Sequence, residues 1–147
     1  MILHYLKKKE NIHKKKALNI YSKIINQIDN FTNKSNFFLK KEFNTTFELT
    51  ILLIFIVFFV SKKQNSEINQ EIMNLLVKDL DYSFRKFGVS DMSIGKYVKK
   101  YVKKFYYREK LLDDIFDENK FEKFSEYLCK FGISDYENKD KITKDLN

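Results

Sequence analysis

Apolar residues recur along this chain at helical intervals, interrupted once by a run that is apolar on every side. From Ala17, the positions Ala17, Ile20, Tyr21, Ile24, Ile28 and Phe31 are spaced by three and four, which predicts an amphipathic helix ending near Asn30. Residues 32–46 mix turn formers with aromatics and read as an irregular crossing segment. The run at 49–60, LTILLIFIVFFV, contains no charge. A helix of its twelve residues is about 18 Å long, against roughly 30 Å of bilayer hydrocarbon. Extending it meets Glu48 and Asn44 on one side and Lys62 and Lys63 on the other. It is expected to be a buried central helix; a membrane-dipping segment is the alternative.

Three more helices follow. Ser66 is placed to cap the first, with Glu67 in the first turn where the helix dipole favours a carboxylate. Its apolar face comprises Ile68, Ile72, Leu75, Leu76, Leu80, Phe84 and Phe87, and its polar side sets Asp81 four residues before Arg85. Gly88 ends it: with Gly88 at C′, Val89 falls at C″ and Phe84 at C3, the positions of a Schellman cap. The six residues KFGVSD at 86–91 recur as KFGISD at 130–135, with Leu128 and Ile133 in the equivalent places. The flanks do not match, which predicts two similar helix endings, not a duplicated unit. Over 92–116, Ile94, Val98, Tyr101, Phe105, Leu112 and Phe116 share one face. Lys96, Lys99, Lys100, Lys103, Lys104 and Lys110 gather on the other, as a solvated face or as a contact for phosphate. In the last helix Asn119 and Glu122 are spaced as a capping box, and Phe121, Phe124, Leu128 and Phe131 are expected to face inward.

The absence of proline, and glycine only at 88, 95 and 132, leaves helices uninterrupted and strands few tight turns. The class is all-α. At 147 residues the expectation is a single compact helical domain over 17–135, preceded by a basic segment at 1–16 and followed by a polar tail at 136–147. The net charge of +8 is local: residues 1–16 hold six lysines against Glu10, and residues 96–110 hold six lysines and Arg108 against Glu109. Those segments are +5 and +6, leaving −3 for the rest, so an anionic partner is suggested.

Chemistry-bearing motifs fail. Cys129 is alone and His4 and His13 are the only histidines, so neither a disulfide framework nor a metal site is expected. The N-terminus lacks the apolar core of a secretory signal, and export is not expected. SIGK at 93–96 has the Ser-x-x-Lys spacing without the companion elements of the acyl enzymes. As a phosphate loop, Gly95-Lys96 has Ser90 in place of the leading glycine and Tyr97 in place of the magnesium-binding hydroxyl. Asp79 and Asp81 are two apart on a helix and diverge. No enzyme activity and no cofactor are expected.

The stretch KDLDYSFRKFGVSDMSIGKYVKKYVKKFYYRE at 78–109 resembles the ubiquinol–cytochrome c chaperone family. The matching positions are Asp79, Asp81, Arg85, Gly88, Val89, Asp91, Gly95, Lys96, Lys99, Phe105, Tyr106 and Arg108, and a weaker likeness covers roughly 18–131. The chain departs from the family pattern at EFNTTFEL, where a Pro and a Gly-Arg-Phe usually precede the apolar helix, and at Tyr107, usually glycine. The resemblance implies a non-enzymatic assembly factor for the cytochrome bc1 complex, with newly made cytochrome b as client. The ribosome, a small helper subunit and an anionic membrane surface are the further partners it suggests, and DNA is not among them. It would act at the cytoplasmic face of a bacterial inner membrane or at the mitochondrial inner membrane. It also suggests that Arg85 is partly buried and ties the Gly88 turn to a neighbouring helix. The alternative is a ribosome- or RNA-binding protein that uses the same lysines and has no client.

Overall fold

A computed structural model describes residues 2–33, 43–61 and 64–133, with side chains described for 11–31, 43–61 and 64–133. The order is α1 (Ile2–Asn33), α2 (Phe43–Val60), α3 (Ser66–Lys86), α4 (Asp91–Asp117) and α5 (Phe121–Lys130). There is no strand among the described residues, and the all-α class is the one the sequence predicts. Contacts divide the chain into two compact units, one built from Met1–Lys23 and Phe58–Tyr106, the other from Ile24–Val57 and Tyr107–Asn147.

In the first unit, α1 meets α3 through two polar contacts: the Tyr21 hydroxyl donates to Asp79 at 2.6 Å, and His13 lies 2.6 Å from Glu67. Between them Ala17, Ile72, Leu76 and Leu80 are buried. The α3–α4 contact is aromatic. The Phe84 ring packs 5.0 Å from Tyr101 and 5.7 Å from Tyr97, with Ile94 buried on the same face of α4. Phe58 and Phe105 meet edge to face at 6.4 Å.

The second unit buries Ile24 and Ile28 of α1, Leu49, Ile51, Leu52, Ile54 and Phe55 of α2, Leu112 of α4, and Phe124 and Leu128 of α5. Phe116 is its aromatic hinge-pin, edge to face with Phe55 at 5.2 Å and with Phe124 at 5.4 Å.

Several boundaries differ from the sequence reading. α1 begins at Ile2, well before Ala17. The preceding lysines are good helix formers, and residues 14–16 are exposed, so this part of the helix shows no apolar rhythm. α2 spans 18 residues, not twelve. That is about 27 Å, so by length and composition alone it could cross a membrane, although half of it is buried within the protein. Glu48, its one charge, is tolerated because it is paired (below). Residues 32–33 thus belong to α1 and 43–46 to α2, and the remainder of the expected irregular segment, 34–42, lies outside the described residues. Asn65, not Ser66, is the N-cap of α3, and no side chain caps it. Phe87 and Phe121, placed inward by spacing, are 65 % and 56 % exposed, since each sits at a helix end where the apolar face runs out. The polar tail lies outside the described residues.

The expected helix endings form. Gly88 has φ +89°, its N–H donates to the Arg85 carbonyl and the Val89 N–H to that of Phe84, the two bonds of a Schellman cap. Gly132, at φ +71°, repeats this with Cys129 and, through Ile133, with Leu128. A third copy ends α4: Asn119 takes φ +51° and donates to Phe116, while Lys120 donates to Ile115. Asn119 therefore closes α4 and does not open α5, which has Lys120 as N-cap and no side-chain cap bond. Asparagine tolerates the left-handed region that most residues avoid.

Candidate interaction surface

The connection between α3 and α4 is only four residues, and one side chain braces it. The Arg85 Nε donates to Asp81 Oδ1 at 2.6 Å and its Nη1 donates to Asp91, so one guanidinium joins the last turn of α3 to the first turn of α4. Both carboxylates hold its proton more firmly than usual, Asp81 most. The tie between helices is present, but Arg85 is exposed, not partly buried, because its partners lie on the outer faces. Asp79 points elsewhere, to Tyr21, as two residues apart on a helix requires. Burial, and then the bond to Asp79, push the Tyr21 hydroxyl well above the usual tyrosine range.

Beyond the turn, α4 separates its two faces cleanly. Ile94 and Phe105 are buried, whereas Lys96, Lys99, Lys100 and Lys103 are exposed. At 100° per residue, Met92, Lys96, Lys99 and Lys103 stand on one line, with Lys100 beside it. None of these lysines has a carboxylate partner among the described residues. Lys104 leaves the line: it is half-buried, with its ammonium 4.3 Å from the centre of the Tyr101 ring. Tyr106 is 57 % exposed. Gly95 is exposed, and a Cβ added there would meet nothing within 4 Å. Val89 is half-buried.

Arg108 has a different environment, in the second unit. Its Nε and Nη2 donate to Glu48 Oε2 and Oε1 at 3.2 and 3.1 Å, and its guanidinium lies over the Phe131 ring at 3.8 Å. Both side chains of the pair are nearly buried, 12 % and 10 % exposed. The Tyr127 hydroxyl is buried without a hydrogen-bond partner among the described residues. Burial first, and the charge of Glu48 second, raise its proton affinity well above the ordinary tyrosine value. Sequence reasoning overlooked this pair, although a lone carboxylate in an apolar helix was a signal that some cation must answer it.

The motif positions therefore sort by task. Asp81, Arg85, Gly88 and Asp91 shape the α3–α4 turn, Asp79 ties α3 to α1 through Tyr21, Phe105 and Arg108 serve packing, and Lys96, Lys99, Gly95 and Tyr106 face outward. A basic, outward face suits docking to an anionic surface. Residues 35–140 match the family described as ubiquinol-cytochrome C chaperone. No curated protein and no solved structure matches. The match covers most of the chain, including the braced turn and the lysine face. The chain belongs to the ubiquinol-cytochrome C chaperone family, and its role is that of a chaperone in assembly of the bc1 complex.

Proposed function

We propose that the protein holds newly made cytochrome b during bc1 assembly, without catalysing a reaction, and that the lysine face of α4 brings it to the anionic surface where that subunit is made. The observation that carries the docking half is the line of Lys96, Lys99, Lys100 and Lys103, all exposed and none matched by a carboxylate among the described residues. Four uncompensated charges spaced over about 10 Å of helix favour a surface of repeated negative charge, such as phosphate. The client half rests on the family alone. A small helper subunit, and a place at the cytoplasmic face of a bacterial inner membrane or at the mitochondrial inner membrane, belong to the same reading.

Replacing the four lysines by glutamine tests it. Glutamine is nearly as good a helix former, so the fold should survive and any loss is assignable to charge. The variant should retain its helical circular dichroism, lose salt-sensitive association with the membrane or ribosome fraction, and lower the bc1 content of its cells. Unchanged association and bc1 content would make the lysines a solvated face. Loss of RNA binding with normal bc1 would favour an RNA-binding protein without a client.

A further inference from the structure

We infer that the tip of the α3–α4 hairpin is a membrane-docking element, in which Phe87 and Met92 enter the interface of an anionic bilayer while the α4 lysines bind its headgroups. The inference rests on the docking role proposed above and names its partner. Phe87 is the C-cap of α3 and Met92 the second residue of α4; they are 65 % and 98 % exposed. Two large apolar side chains thus stand out at one tight turn. The turn is rigid, held by the Gly88 cap and by Arg85 across to Asp91. Its nearby carboxylates, Asp81 and Asp91, are both held by Arg85, and Lys86, Lys96, Lys99, Lys100 and Lys103 are exposed beside or beyond them.

That combination selects among anionic surfaces. Single-stranded RNA is gripped by aromatic stacking and arginine forks, whereas the outward face of α4 carries lysine and no arginine, and Met92, the most exposed apolar side chain of the tip, offers no ring to stack. A bilayer surface accepts both halves of the pattern. Lysine ammoniums pair with lipid phosphates as point charges, and the apolar tip displaces water between headgroups. Tyr106, exposed on the same side of α4, has the amphipathic ring that sits well at headgroup depth.

The sequence contains no tryptophan, so Met92→Trp in the full chain is a sole reporter at a fully exposed site. With vesicles of phosphatidylcholine and phosphatidylglycerol its emission should shift to the blue and be quenched by brominated acyl chains. With phosphatidylcholine alone it should do neither. Each lysine near the surface is worth about fivefold in binding, so the four-glutamine variant should lose on the order of several hundredfold. Phe87→Ser with Met92→Ser, in an otherwise unchanged chain, should also weaken vesicle binding. Cosedimentation with an unshifted emission, no binding of the unaltered chain to the anionic vesicles, or binding to a homopolymer RNA in their place would each overturn the inference. If vesicle binding fails while the four-glutamine variant still lowers bc1, this inference falls and the assembly reading stands. If vesicle binding holds while bc1 is unaffected, the tip is a membrane element and the assembly role of the lysines falls.

Discussion

Arg108 and Glu48 carry opposite charges into a nearly buried place, where the attraction between them and their two hydrogen bonds offset the cost of taking each out of water. Glu48→Gln should leave the guanidinium buried without its counter-charge and cost about 3–5 kcal/mol, read from urea unfolding. Glu48→Leu combined with Arg108→Met should recover most of that loss, and a cost under about 1 kcal/mol for the single change would contradict the pairing. The neighbouring Tyr127 behaves oppositely: its hydroxyl is buried and unanswered, so Tyr127→Phe should stabilise by about 1 kcal/mol. The raised proton affinities of Tyr127 and Tyr21 have a fixed sign. In the unfolded chain both hydroxyls ionise near pH 10, before the folded ones do. Stability from this source is therefore intact below about pH 10 and falls as the pH rises further. Tyr21→Phe and Tyr127→Phe together should flatten that alkaline decline, and an unchanged slope would count against it. Little of this was legible in the sequence. Arg108 stood in the family motif, but its partner lies 60 residues away, and spacing along one helix says nothing of a neighbour brought in by folding.

Helices whose apolar residues repeat at three and four were readable, as α3 and α4 show, because burial of one face is what selects that spacing. Helix ends were readable where glycine marks them. The start of α1 at Ile2 was not, since the runs at 7–9 and 14–16 are all lysine and interrupt any apolar rhythm, and Asn119 reads as an N-cap although it closes α4, because asparagine serves both as N-cap and as left-handed C′. The glycines give a paired prediction. Gly88 holds φ +89°, so Gly88→Ala should cost about 1–2 kcal/mol. Gly95 lies inside α4 with open space above it, so Gly95→Ala should gain about 1 kcal/mol. Thermal unfolding of the two variants checks both signs, and a destabilised Gly95→Ala would mean that something in this chain needs the bare backbone there. If Gly95→Ala folds better yet lowers bc1 in cells, the glycine serves a partner.

For the whole molecule, the family and the basic face were both legible before any coordinates, the first from one contiguous motif and the second from the uneven spread of charge. What the sequence could not show was that Lys104 turns inward onto Tyr101 while Lys96, Lys99, Lys100 and Lys103 stay exposed, or that Phe87 and Met92 stand out at the braced tip. These follow from packing on α3, which no periodicity contains. The lysines and the tip concern where the protein works; its central task concerns the client. The most direct measurement is capture of the full, tagged chain from its native cells after a short pulse of labelled amino acid. The account predicts that labelled cytochrome b is bound immediately after the pulse and departs during the chase as it enters bc1. Capture free of labelled cytochrome b at every time, in cells whose bc1 content does not depend on this protein, would contradict it.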